Sequence, residues 1–109
     1  MSAAKTVTAF NFQDEVVSSA TPVIVDFYAD WCGPCRMLGP VLDKVATTYE
    51  GKVKVVKVNV DQDPELAMQY RVSSIPKLVF IHQGQVVGQT EGVLTERQLA
   101  GVADQMVAL

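Results

Sequence analysis

The sequence predicts an α/β domain in which a mixed β-sheet carries helices on both faces. Three observations support this fold class. A strand, a helix and a second strand follow one another over residues 22–60, which is a βαβ unit. Two further strands joined by a tight turn occupy residues 77–91, and an amphipathic helix follows them. With 109 residues, the chain is expected to form one domain, residues 1–109.

The first half of the chain predicts strands on either side of a long helix. The stretch "PVIVDFYA" (22–29) is nearly continuous in apolar residues, as in a strand covered on both faces. Apolar residues then recur at helical spacing over 38–49. The β-branched stretch "KVKVVKVNV" (52–60) predicts the next strand. Upstream, we expect a strand near residues 5–9 and a helix capped by Asn11.

Turn and cap signals mark the elements of the second half. Asp63 is predicted to cap a short helix that begins at Pro64. The pair Gln83-Gly84 predicts the tight turn between the last two strands. Thr95 and Gln98 have the spacing of a capping box, which starts the final helix.

Composition excludes several function classes. Hydrophobic residues make up 49% and charged residues 19%, which is typical of a globular protein. The net charge is -3 and the chain has no basic tract, so we expect no nucleic-acid partner. No stretch has the length and apolarity of a signal peptide or a membrane span, so we expect a cytoplasmic monomer with no membrane partner. In that reducing compartment, two cysteines are not expected to form a purely structural disulfide.

The two cysteines lie in the stretch "DFYADWCGPCRM", residues 26–37. Cys32 follows the end of a predicted strand, and Cys35 falls in the first turn of the predicted helix. Residues three apart in such a turn face the same way, at a distance that a disulfide can close. So short a loop adds little stability, so we infer that the bond functions by opening and closing. Backbone N–H groups at a helix start favour the thiolate, which is the attacking species in exchange.

Asp26 is the one acid in the apolar strand that leads into the cysteines. Its neighbours in residues 23–27 are all apolar, so we expect the carboxyl group to be buried and its pKa to be raised. A carboxyl group with a raised pKa can act as a general base for Cys35 near neutral pH. The alternative is a structural polar residue with no role in turnover.

The motif "WCGPC" inside "VDFYADWCGPCRMLGPVLDKVA" resembles the thioredoxin family, and so does "VNVDQDPELAMQYRVSSIPKLVFIHQGQVV". The resemblance implies a thioredoxin fold: a five-stranded mixed sheet in the order 1-3-2-4-5, flanked by four helices. It implies a general protein disulfide reductase, with Cys32 as the exposed nucleophile and Cys35 as the buried resolving thiol of a redox-active disulfide. It also implies reduction by a thioredoxin reductase, so that electrons come from NADPH on that partner and this chain binds no cofactor.

The same resemblance assigns further site residues. Lys57 is implied as the inward-facing partner of Asp26. A cis peptide bond is implied between Ile75 and Pro76. Disulfide-bearing client proteins are expected to bind as an extended segment beside the backbone before Pro76. The expected client-binding residues are Trp31, Gly33, Pro34, Ile75, Pro76, Gly92 and Val93.

Three residues depart from the commonest thioredoxin pattern. Tyr28 stands where many members have a second tryptophan, and Arg71 stands where glycine is frequent. Lys77 follows the Ile-Pro pair, where threonine is usual, and is expected to add a positive charge near the docking groove.

Three other functions compete with a disulfide reductase. A structural zinc site needs four ligands, whereas the only histidine, His82, lies far along the chain, so no metal is expected. An oxidant or isomerase is disfavoured because Gly33-Pro34 resembles the dipeptide of the reductants. An interaction subunit that uses the fold but not the thiols remains as a rival from a different class.

Overall fold

A computed structural model describes residues 4–109, which form five strands and four helices. The first three residues of the predicted domain 1–109 lie outside the described residues. The elements in chain order are β1 (Lys5–Thr6), α1 (Gln13–Val17), β2 (Val23–Tyr28), α2 (Gly33–Thr48), β3 (Lys54–Asn59), α3 (Pro64–Gln69), β4 (Lys77–His82), β5 (Gln85–Glu91) and α4 (Glu96–Val107).

The strands form one mixed sheet in the order β1-β3-β2-β4-β5. The central strand β2 runs parallel to β3 and antiparallel to β4. At the edges, β1 runs parallel to β3, and β5 runs antiparallel to β4. This architecture confirms the α/β prediction and the strand order that the family resemblance implied.

Alternate residues of β2 belong to the two cores on opposite faces of the sheet. Val25 packs with Val16 of α1 and Leu66 of α3 in one core. Ile24 packs in the other core, which includes Leu42 of α2 and residues of α4. Each fully buried aliphatic side chain of this size contributes about 1.5–3 kcal/mol. Because side chains alternate along a strand, Asp26 lies on the face covered by α2 and α4.

The hairpin and the final helix are confirmed in detail. Gln83 and Gly84 both have positive φ, 51° and 79°, as a two-residue turn of the favoured hand requires. The Thr95 hydroxyl accepts a hydrogen bond from the Gln98 N–H at 3.1 Å, and the Gln98 side chain accepts one from the Thr95 N–H at 3.0 Å. The predicted capping box therefore starts α4.

The predicted Asn11 cap is wrong, and the predicted Asp63 cap is confirmed in position but not in its hydrogen bond, because backbone N–H groups outside the helices take the two side chains. Asn11 accepts a hydrogen bond from the Thr8 N–H at 2.8 Å and does not cap α1. Asp63 precedes α3 as predicted, but its carboxylate accepts from the Ala9 N–H at 3.1 Å. The same turn at Thr8 explains why β1 ends at Thr6 and not at Ala9.

Candidate active site

The two cysteines lie at the N-terminus of α2 with their sulfur atoms at disulfide-bonding distance and their Cα atoms 5.2 Å apart. Cys32 is the N-cap residue, and its Sγ accepts a hydrogen bond from the Cys35 N–H at 3.2 Å. Pro34 occupies an early helical position, where its missing N–H costs no hydrogen bond. When the bond is reduced, the same N–H and the helix dipole stabilise a thiolate at Cys32.

The expected difference in exposure between the two cysteines is absent in the disulfide form. Both residues are only 5% exposed. The Cys32 sulfur lies 3.9 Å from the carbonyl oxygen of Ile75, which partly covers it. The prediction of an exposed Cys32 beside a buried Cys35 is therefore wrong for this form, because the segment before Pro76 packs against the bond.

Asp26 lies in β2, the strand that leads towards the two cysteines, and is only 1% exposed. Neither of its carboxylate oxygens has a hydrogen-bond partner among the described residues. Burial raises the pKa of Asp26 to about 7, although the positive charge of Lys57 opposes this rise. A group with this pKa exchanges protons near neutral pH.

Lys57 stands opposite Asp26 in the register of β2 and β3. Its ammonium group lies over the ring of Tyr28, 4.5 Å from the ring centroid, and forms no ion pair with Asp26. This contact is a cation–π interaction, worth about 0.5–2 kcal/mol. Lys57 therefore acts on Asp26 through its charge and not through a direct hydrogen bond.

A cleft of about 230 Å³ connects this region to solvent. Cys35, Tyr28 and Lys57 line it, together with Arg36 and Gly39. Because one water occupies about 30 Å³ of liquid, the cleft is large enough for several waters beside Cys35. Protons can therefore reach this side of the site through water.

Trp31 forms one wall of a second cleft, whose lining also includes Ile75. Its side chain is 68% exposed, and its indole Nε1–H donates to the Asp61 carboxylate at 2.8 Å. The cleft, of about 200 Å³, separates Trp31 from the segment 72–75. Sequence reasoning missed Asp61, but the signal was present: Asp61 follows β3, and parallel neighbours β2 and β3 end at one edge of the sheet.

Of the other predicted client-binding residues, Gly33 and Pro34 begin α2, and Ile75 and Pro76 are joined by a cis peptide bond. The Pro76 carbonyl accepts a hydrogen bond from the Gly92 N–H at 2.9 Å. Gly92 has a φ of 87°, which favours glycine, and Val93 next to it is 43% exposed. The structure therefore brings Ile75 to the disulfide and Gly92 to Pro76 beside it.

Lys77 is buried, so the expected positive charge is not exposed at the docking groove and lies instead against the turn at residues 70 and 71 that leads into it. The residue is 5% exposed. Its side chain shares the face of β4 that is covered by α1 and α3, because Val79 and Ile81 lie in that core. Its ammonium group donates to the backbone carbonyls of Tyr70 and Arg71 at 3.2 and 3.1 Å.

His82 ends β4, at the opposite end of the strand from Pro76. Among residues 4–109, no group of three or more His, Cys, Asp or Glu side chains could hold a metal ion. Within the same residues, no helix combines the length and apolarity needed to cross a membrane.

Comparisons with known proteins cover nearly the whole chain. The family model Thioredoxin matches residues 3–105. Thioredoxin 1 of Nostoc sp. is 51% identical over 100 residues, which is 92% of this chain and 94% of the relative. Thioredoxin 1 of Synechococcus elongatus is 48% identical over 105 residues, 96% of this chain and 98% of the relative. Mitochondrial thioredoxin of Bos taurus is 44% identical over 97 residues, which is 89% of this chain and 58% of the relative.

Proposed function

The chain belongs to the thioredoxin family, and on that premise we propose that it is a general protein disulfide reductase. It is a thiol–disulfide oxidoreductase with a Cys-x-x-Cys pair at disulfide distance. The observation that carries the proposal is the position of this pair at a helix N-terminus, with the unpaired, buried Asp26 in the strand that leads into it. Such a site can form a thiolate on one side and accept a proton on the other.

The first step uses the dithiol form of the protein. The Cys32 thiolate attacks one sulfur of a client disulfide and forms a mixed disulfide. The S–S bond of the client breaks, and its second sulfur leaves as a thiolate that takes a proton from solvent. The N–H of Cys35 and the start of α2 stabilise the charge on Cys32 before the attack.

The second step closes the Cys32–Cys35 disulfide. The Cys35 thiol gives its proton to Asp26, directly or through water in the cleft, and the resulting thiolate attacks the Cys32 sulfur. The mixed disulfide breaks, and the client sulfur that Cys32 had attacked leaves as a thiolate that is then protonated. Two electrons have passed from the dithiol to the client. In this scheme, Lys57 limits the rise in the pKa of Asp26, so that the carboxylate form is available at neutral pH.

Clients are proposed to bind as an extended segment beside the backbone before Pro76. Hydrogen bonds to backbone groups tolerate many sequences, so a broad client range follows. Support comes from the second cleft, which Trp31 and Ile75 both line. The proposed client-binding set is Trp31, Gly33, Pro34, Ile75, Pro76, Gly92 and Val93.

The disulfide formed in each turnover must be reduced again. We propose that a thioredoxin reductase does this with electrons from NADPH, and that this chain itself binds no cofactor. We further propose that the chain acts as a cytoplasmic monomer, as a single domain and without nucleic-acid or membrane partners. The protein can reduce clients only in a compartment where Cys32 and Cys35 are kept in the dithiol form.

An insulin-reduction assay with NADPH and a thioredoxin reductase tests the proposal. We expect NADPH oxidation that depends on this protein, on the reductase and on insulin together. Cys32→Ser is the matched control and should be inactive. If the reductase reduces the Cys32–Cys35 bond and insulin still remains oxidised, the general reductase function is wrong.

Asp26→Ala tests the proton acceptor in the same assay. We expect the mixed disulfide to resolve more slowly, most clearly at lower pH, where the Cys35 thiolate is scarce. Turnover that equals the wild-type rate throughout pH 6 to 8 would leave Asp26 with a structural role only.

A further inference from the structure

Lys77 is a buried cation that the proposed reaction does not use. It is 5% exposed, and none of the ion pairs found among the described residues involves it. Its ammonium group donates instead to the carbonyl oxygens of Tyr70 and Arg71, at 3.2 and 3.1 Å. Hydrogen bonds from a charged donor in a buried place are stronger than neutral ones. These two bonds therefore hold the backbone at residues 70 and 71 firmly.

Those two carbonyls belong to the turn that ends α3. The Arg71 N–H bonds the Met68 carbonyl at 3.1 Å, and the Val72 N–H bonds the Ala67 carbonyl at 2.9 Å. This pattern requires a left-handed residue after the helix, a position that glycine usually takes. Arg71 takes it here, with a φ of 55°, a conformation that its side chain disfavours. The ammonium group of Lys77 thus stabilises a turn that is intrinsically strained, and it also faces the negative end of α3.

The turn leads directly into the client side of the active site. Residues 72–75 form the wall of the second cleft opposite Trp31. The Ile75 carbonyl at the end of this wall lies 3.9 Å from the Cys32 sulfur. The backbone of Lys77 is fixed in the sheet between β2 and β5. Lys77 therefore anchors both ends of the wall. Its ammonium group holds the turn that precedes residue 72, and its backbone in the sheet holds the end next to Pro76.

We propose that Lys77 is a positioning residue for protein clients, which holds residues 72–75 at the distance from Trp31 that an extended client segment needs. This inference rests on the proposed function, since it assigns a role in client binding. It predicts that loss of the ammonium group weakens the binding of protein clients but not reaction with a small disulfide, which does not need to span the cleft.

The test compares Lys77→Met with Lys54→Met. Lys54 is a useful control because its ammonium group also donates to a backbone carbonyl, that of Glu15, at 2.8 Å, although it is more exposed than Lys77 and also pairs with the Glu15 carboxylate. For Lys77→Met we expect the KM for insulin to rise about three- to tenfold while kcat changes little. Without the ammonium group residues 72–75 are more mobile, so the binding of each client must order them first. Lys54→Met should leave this KM unchanged. The reduced form of both variants should react with a small aromatic disulfide at the wild-type rate.

Amide hydrogen exchange gives a second readout that does not depend on activity. The N–H groups of Arg71 and Val72 should exchange faster in Lys77→Met, or in Lys77→Gln if the methionine variant does not fold. An unchanged KM for insulin, an equal rise in Lys54→Met, or unchanged exchange at residues 71 and 72 would overturn the inference. If the wild-type protein fails to reduce insulin, the proposed disulfide reductase function is wrong. The exchange experiment still decides whether Lys77 stabilises the turn at residues 70 and 71.

Discussion

Replacing Asp26 by alanine is expected to stabilise the oxidised protein, by an amount that grows with pH. Burial raises the pKa of this carboxyl group from 3.8 to about 7, with Lys57 opposing the rise. Between these two pH values, the folded protein therefore binds one proton more than the unfolded chain. Stability falls with rising pH wherever the folded state binds more protons, so the cost of Asp26 increases up to about pH 7 and is constant above it.

The size of the effect follows from the same shift. Each pH unit corresponds to about 1.4 kcal/mol, so the full cost of the buried carboxylate is about 4 kcal/mol at pH 8. At pH 5 the cost is only about 1.5 kcal/mol, because the folded protein still keeps the proton. Alanine also leaves a small cavity, but that loss is the same at both pH values. The gain from Asp26→Ala should therefore be about 2–3 kcal/mol larger at pH 8 than at pH 5.

Urea unfolding of the oxidised proteins at several pH values from 5 to 8 measures this difference. Trp31 is the only tryptophan and reports unfolding by its fluorescence. The control is Asp30→Ala, which removes an exposed acid close to Asp26 in the sequence. The reasoning is refuted if the gain from Asp26→Ala varies by less than about 1 kcal/mol over this range with equal urea dependence.

Three further predictions concern the cysteines, the cleft wall and the last helix. Cys35→Ser should accumulate mixed disulfides with insulin on a non-reducing gel, and Cys32→Ser should not. If Cys35 is alkylated faster than Cys32 in the reduced wild type, the roles of nucleophile and resolving thiol are reversed. Asp61→Ala removes the hydrogen bond of the Trp31 indole, so the KM for insulin should rise about two- to tenfold. If the KM and the Trp31 fluorescence are both unchanged, this hydrogen bond does not position Trp31. Thr95→Ala should lower the free energy of unfolding by about 1 kcal/mol with full activity, and a loss of turnover would contradict its purely structural role.

The parts of the molecule that depend on local sequence could be predicted. The apolar neighbours of Asp26 indicated its burial, and it is 1% exposed. The Gln83-Gly84 pair indicated the hairpin turn, and Thr95 with Gln98 indicated the capping box. In each case, residues adjacent in the chain determine the outcome.

The parts that depend on distant contacts could not be predicted. A lysine at the start of a strand gives no sign that its ammonium group will reach the end of α3, because that contact exists only after the helix packs on the sheet. Asp63 has the sequence of an N-cap, but the Ala9 N–H, far away in the chain, takes its carboxylate. The equal exposure of the two cysteines likewise results from Ile75, which covers the sulfur of Cys32.

The central position of β2 has a consequence for the newly synthesised chain. Asp26 is enclosed on one side by Leu78 of β4, and the proposed client-binding site includes Gly92 after β5. The ribosome makes both residues long after Cys35, and at about 5–20 residues per second the interval lasts several seconds. Throughout that time the nascent protein carries an ordinary peptide dithiol, without a buried carboxylate or a cleft. Its two thiols acquire the buried carboxyl group and the cleft beside them only when the last third of the chain has been released and folded.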